Sequence, residues 1–330
     1  MRFLIGGYGP KGVQSILRAD LADGSLTVTP VTNEAENPSW LLPHPGGETL
    51  YAVEERVPDG GLAVFRRVGE DWRLHGRFEA GSAPCHLALD DENRFLFVSN
   101  YMDGSLDVWR LDDDGLPIEK TDTVRHAGHG PNPERQEGPH IHSALYLDGL
   151  VYVADLGLDQ VAVYRLDRET GGLEAAGCIH FPAGCGPRHM AAHPSQPELL
   201  YVDAELQGLV FAVRRSTGEI LQTLHVVPED VTVPFRTSAI HFAGDMLYVA
   251  TREADVLALM TLRKDGTLTK PTFYRHRQQT PRDVWMDEAW CITADEGSCA
   301  LTLLRREGDR LTEVQQVPTP GLGPTCVTPF

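Results

Sequence analysis

Short apolar runs with a two-residue alternation recur along this chain, and no segment sustains the 3.6-residue apolar period of a helix. The stretches "APCHLALDDENRFLFVSNYMDGSLDVWRLDDDGLP" from Ala83, "GPHIHSALYLDGLVYVADLGLDQVAVYRLDRETGGL" from Gly138 and "GPRHMAAHPSQPELLYVDAELQGLVFAVRRSTGEI" from Gly186 share one plan. Each runs proline, short apolar strand, turn, Tyr/Phe-Val strand, turn, alternating strand, and then a turn rich in Asp and Gly. Weaker copies begin near Pro38, Thr237, Pro281 and Pro324. The pattern predicts strands, and it predicts them in repeats.

Aligning the units gives one column: Ser39, Cys85, His142, Arg188, Ser238, Arg282 and Thr325, spaced 43 to 57 residues apart. Units of that length match four-stranded blades of a β-propeller. The C-terminal "GPTCVTPF" supplies only a first strand, whereas "RFLIGGYG", "VQSILRADL" and "SLTVTPV" at the N-terminus supply three strands without one. Joined, they make a blade closed by both termini, which removes an open sheet edge. The expectation is an all-β, seven-bladed β-propeller forming a single domain over residues 1–330. A large β-sandwich has similar strand spacing but gives no reason for an incomplete unit at each end.

Composition narrows the partners. With 47 acidic residues against 29 Lys and Arg, the formal charge of −18 disfavours nucleic acid and anionic membranes. An anionic small molecule would need a local cluster of arginines. The six cysteines show no Cys-x-x-Cys spacing, and most read as small buried residues of a reducing compartment. The apolar run of "MRFLIGGYGPKG" is too short for a signal peptide, so a cytoplasmic monomer or weak homodimer is expected.

In a propeller the first strand of each blade lines the central channel. The column therefore brings His142, Arg188 and Arg282 to one mouth, and the two-residue period adds His140 beside His142. The turn end of the second strand supplies a parallel column of Glu55, Tyr101, Leu156, Glu205 and Arg252. Arg236 lies just outside the channel, and Arg135, in the long "GPNPERQE" insertion, is placed to close over the mouth. Guanidiniums, imidazoles and a carboxylate together form the inventory for binding an anion and moving a proton. His75, His126, His180 and His225 read as hydrogen-bonding surface residues, His86 and His241 as bonding to neighbouring blades, and His193 as a turn residue. His140, His142 and His189 could in principle hold zinc, but two arginines beside them would repel a cation. No metal or other cofactor is expected. Nucleophile-elbow and Walker A motifs are missing from the sequence.

The segments "NPERQEGPHIHS" (Asn132–Ser143), "VYVADLGLDQVAVYRLD" (Val151–Asp167) and "GPRHMAAHP" (Gly186–Pro194) closely resemble the lactonase family of seven-bladed β-propellers. "QTPRD" (Gln279–Asp283) and "GPTCV" add weaker support. The resemblance covers essentially the whole chain. It implies hydrolysis of a phosphorylated sugar lactone, 6-phosphogluconolactone, with catalytic His142, Arg188 and Glu205. His142 takes the proton of an attacking water, with Glu205 or His140 fixing its orientation, and Arg188 stabilises the oxyanion. His140, Arg135, His189, Arg236 and Arg282 are the substrate-binding candidates. This chain has Ala204-Glu205 where the family often has Asn-Glu, and Ser238-Ala239-Ile240-His241 where it often has Ala-Asp-Ile-His. Two alternatives stand beside this reading: a lactonising cycloisomerase or lyase built on the same His and Arg, and a non-enzymatic propeller that binds a protein partner.

Overall fold

Each repeat folds into one antiparallel sheet of four strands. The computed structural model describes residues 1–9, 15–275 and 280–330, and its strands form seven such sheets with no helix among the described residues. Val13 and Gln14, which the sequence places in the second N-terminal strand, and Gln279 of the "QTPRD" motif lie outside the described residues. Blade 1 joins Gly323–Pro329 to Arg2–Tyr8, Ile16–Ala22 and Ser25–Thr32, with Phe3 opposite Pro329 and Ile5 opposite Val327. The terminal strands thus close the ring, as the sequence predicts. Blades 2 to 7 begin with first strands Leu41–Pro43, Pro84–Leu89, Ile141–Leu147, Pro187–Ala192, Thr237–Ala243 and Pro281–Met286, and neighbouring first strands touch all the way round.

Burial follows position within the blade. Second strands such as Thr49–Glu54 and Leu199–Ala204 are buried at every residue, because both faces pack against adjacent blades. Tyr152, Val163, Val202 and Phe211 form one such inter-blade core. Outer strands alternate: Asp71–Glu79 buries Trp72 but exposes Asp71, Arg73 and His75. Buried tyrosines tie blade to blade: the Tyr51 hydroxyl donates to Gly115 O at 2.5 Å and that of Tyr201 to Gly266 O at 2.6 Å. Each such bond contributes about 1 kcal/mol. Both acceptors sit at positive φ, which suits glycine in these turns.

One irregularity recurs in every blade. At each column position the first strand holds one more residue than its partner: the pairing skips Cys85 between Pro84 and His86, His142 between Ile141 and Ser143, and Arg282 between Pro281 and Asp283. Ser238 and Thr325 are skipped likewise, and the register also shifts across Arg188 and His189. In blade 2, the Asn37 and Trp40 carbonyls accept from Glu55 N and Val53 N, leaving Ser39 as part of the extra length. A β-bulge re-aims a side chain and breaks strict alternation. Here it turns the column residues toward the channel mouth.

Candidate active site

The mouth holds a cavity of about 280 Å³. Six of the seven column residues line it, Ser238 excepted; the Ser238 hydroxyl donates to Pro281 O at 2.6 Å instead. Of the parallel column, Glu55, Tyr101, Glu205 and Arg252 reach the cavity, and so does Tyr8 at the same position in blade 1. Leu156 is fully buried and does not.

Glu205 is the hub of one wall. Its Oε1 accepts from Arg135 Nη2 at 2.6 Å, and its Oε2 lies 2.9 Å from Arg188 Nε and 2.7 Å from Arg252 Nη2. The carboxylate is 1% exposed. Burial alone would raise its pKa, but Arg252, Arg188 and Arg135 outweigh that and hold it well below the carboxylate range. Burial among cations pulls Arg252 down to about 9 despite Glu205, and its Nε is buried without a hydrogen-bond partner. Arg188 also donates to the Ser238 carbonyl and, at 3.1 Å, to His189 Nε2.

His142 stands beside this cluster at 8% exposure. Desolvation first, and then the Arg188 charge, hold its pKa well below the usual histidine value, with Glu205 opposing only in part. The ring is therefore neutral at physiological pH and able to accept a proton. His189 lies 5.1 Å away centroid to centroid, Tyr101 5.4 Å, and Cys85 Sγ is 3.9 Å from His142 Nδ1. Burial and the nearby charges push His86 down to about 3 and His189 well below its usual value, so these two imidazoles are neutral as well. His86 Nδ1 meets the Ala144 amide of the next blade at 3.4 Å, and His241 Nε2 lies 3.0 Å from Asp283 of the next blade.

A second network occupies the opposite side. The Tyr8 hydroxyl donates to Glu55 Oε2 at 2.8 Å, Ser39 Oγ donates to the same oxygen, and Arg282 Nη2 donates to the Tyr8 hydroxyl at 3.2 Å. Arg282 also lies 3.5 Å from Glu296, and Arg236 pairs with Glu253 at the rim.

Of the predicted residues, His142, Arg188, Glu205, Arg135, His189, Arg236 and Arg282 share this cavity. His140 does not line it. Its ring stacks on Tyr101 with centroids 4.4 Å apart, Nδ1 bonds to Tyr101 O, and Nε2 faces Glu137 at 3.2 Å. The bulge at His142 lies between the two histidines and breaks the alternation that was to place them together, which also dissolves the three-histidine metal arrangement. Among the described residues no group of three or more His, Cys, Asp and Glu is placed to hold a metal ion. Nor does Glu205 or His140 bond to the His142 ring, contrary to the expected orienting role. The Glu205 oxygens are taken by guanidiniums, and the His140 nitrogens by Tyr101 and Glu137. His126 is a further correction: its side chain is 5% exposed, with Nδ1 2.6 Å from Asp155 and Nε2 2.9 Å from the Tyr164 hydroxyl.

The long insertion divides its labour. Arg135 reaches the cavity. Fully buried Gln136 anchors the loop, donating to Leu156 O and Asp159 Oδ1 and accepting from Asn132 N. Glu137 stays outside with His140. Tyr8, Trp40, Cys85, Glu55, Tyr101 and Arg252 complete the site without having been singled out as functional. The two columns carried a signal for most of them. Trp40, like His189, follows a column residue directly, and the bulge brings both neighbours to the cavity.

A ring of seven blades carries an arginine-rich, histidine-bearing pocket at its mouth, and comparison with known proteins places the chain among seven-bladed propellers. The family described as "Lactonase, 7-bladed beta-propeller" matches residues 2–329. The chain belongs to this lactonase family. It is 31% identical over 320 residues to the 6-phosphogluconolactonase of Bacillus subtilis, covering 92% of this chain and 90% of that protein. Among solved structures, a Lactobacillus plantarum protein superimposes with a TM-score of 0.91 at 29% identity over 99% of this chain and 98% of the other. The periplasmic gluconolactonase PpgL of Pseudomonas aeruginosa shares the fold, with a TM-score of 0.89 at 24% identity over 99% and 98% of the two chains. No helix among the described residues is long and apolar enough to cross a membrane.

Proposed function

We propose that this lactonase hydrolyses a phosphorylated sugar lactone, 6-phosphogluconolactone, without a metal, using His142 as general base and Arg188 as oxyanion stabiliser. The observation that carries the reading is a neutral, buried imidazole in the same cavity as Arg188, beside an arginine cluster centred on Glu205. A water oxygen attacks the lactone carbonyl carbon and passes its proton to His142. The negative charge that develops on the carbonyl oxygen is stabilised by Arg188, whose Nη2 has no protein partner among the described residues. Collapse breaks the ring C–O bond, and the leaving alkoxide takes the proton back from His142. One water is consumed and one hydroxy acid is released. General-base assistance of this kind is worth roughly 10²–10⁴-fold. Glu205 is a positioning residue in this scheme, fixing three guanidiniums rather than accepting a proton.

Five arginines line the cavity against two carboxylates, which suits an anion and opposes a bound cation. Arg282, Arg236 and Arg135 hold the phosphate. Arg282→Ala is expected to raise KM for the phosphorylated lactone about tenfold or more while changing kcat little. Steady-state hydrolysis in a pH-stat checks this, and an unchanged KM removes Arg282 from the phosphate site.

The depressed His142 pKa sets the pH dependence. Only the neutral ring accepts a proton, so kcat stays level across neutral pH and falls only in acid, below the usual histidine range. A kcat profile falling with a midpoint near 6.5, with spontaneous opening subtracted, would contradict this assignment. Six free cysteines fit residence in a reducing compartment, consistent with a cytoplasmic enzyme. A protein-binding scaffold has no use for His142 and Arg188 turned into a recessed cavity, which is where both side chains lie.

A further inference from the structure

Glu55 is out of place in an anion pocket. It lines the same cavity as five arginines, yet no arginine pairs with it among the described residues. Its partners are two hydroxyls, those of Tyr8 and Ser39, and both act on Oε2. Oε1 has no protein partner among the described residues. Arg282 fixes the Tyr8 hydroxyl from behind by donating to it at 3.2 Å, so the Tyr8 proton points to Glu55. Burial keeps that phenol protonated by raising its pKa. The other cavity carboxylate, Glu205, is bound by three guanidiniums. The two acids are therefore held in opposite ways: Glu205 by three guanidiniums, Glu55 by two hydroxyls.

A bare carboxylate repels a phosphate or carboxylate brought against it, and it accepts strong hydrogen bonds from neutral hydroxyls. We infer that Glu55 is a specificity-determining residue whose free carboxylate oxygen accepts hydrogen bonds from the ring hydroxyls of the substrate. The cavity is thus divided, with the anionic group toward the arginines of blades 4 to 7 and the polyol toward Glu55 of blade 2. Sugar lactones are selected over unhydroxylated lactones, and diacids without hydroxyls are disfavoured. A polar site left unmatched by a ligand lacking hydroxyls discriminates more strongly than an apolar contact does. The inference rests on the lactonase reading for its substrate class, so its test is made by binding, apart from turnover.

Isothermal titration calorimetry of the wild type and Glu55→Gln would use two anions with the same terminal groups, 6-phosphogluconate and 6-phosphohexanoate. The wild type is expected to bind the hydroxylated anion at least about tenfold more tightly. In Glu55→Gln that preference should shrink toward one, with 6-phosphohexanoate binding unchanged or improved. Tyr8→Phe, which removes one anchor of Glu55 but keeps its charge, should give a smaller loss of the same ratio. Thermal unfolding of each variant verifies that it folds. An equal preference in the wild type and in a folded Glu55→Gln overturns the inference, and so does a wild type that binds neither anion. A wild type that shows Glu55-dependent preference but opens no lactone would leave Glu55 standing and sink the hydrolysis reading instead.

Discussion

Glu205→Ala is expected to destabilise the fold by about 3–5 kcal/mol and to reduce lactone turnover to background. Three guanidiniums converge on this nearly inaccessible carboxylate, and two of them, Arg188 and Arg252, are themselves almost fully buried. Deleting the anion leaves their charges facing one another without compensation, and removing one side of a buried ion cluster costs far more than the cluster contributes as a whole. Arg135 is 30% exposed at its side chain and can turn toward water, which places the loss in the lower part of that range. The Glu205 pKa is held well below its unfolded value, so its stabilisation is complete above the unfolded pKa and is lost as pH falls toward the folded one. Urea unfolding at neutral pH measures the effect. A loss under about 1 kcal/mol would mean that the arginines do not depend on Glu205.

His142→Ala should leave the fold nearly intact and lower kcat by roughly 10²–10⁴, with KM close to wild type. The ring is neutral in the folded protein, so its removal strands no charge, and its neighbours Cys85, Tyr101 and His189 are not ion-paired to it. In the proposed scheme anion binding resides in the arginines, which the substitution does not touch. A purified His142→Ala protein with wild-type turnover would remove the imidazole from the mechanism.

Much of this architecture was legible because a propeller writes itself as a repeat. The spacing of proline, strand and turn placed the blades, and the unmatched strands at the two ends identified the closure. The column converged because strand starts in a ring face a common channel, and that geometry needs no knowledge of side-chain contacts. Alternation failed at His140 because a bulge sits at His142, and a bulge leaves no residue signature that a single sequence displays. The same bulge explains His189 and Trp40, neighbours of column residues that the period of two would send away from the cavity. Arg252 and Glu55 stood on the parallel column but could not be told from solvated strand ends, since their meaning depends on Glu205 and Tyr8 of the neighbouring blades. The burial of His126 is hidden for a similar reason: its hydrogen-bond partner Asp155 is on the next blade.

The most direct test of the account is pH-stat hydrolysis by the purified wild-type protein, in buffer containing EDTA and with spontaneous ring opening subtracted. It should compare 6-phosphogluconolactone with glucono-δ-lactone. The account predicts catalysed opening that survives the chelator, with kcat/KM at least about tenfold higher for the phosphorylated lactone. Rates equal to spontaneous hydrolysis for both lactones, or activity lost to EDTA and restored by a divalent ion, would contradict it.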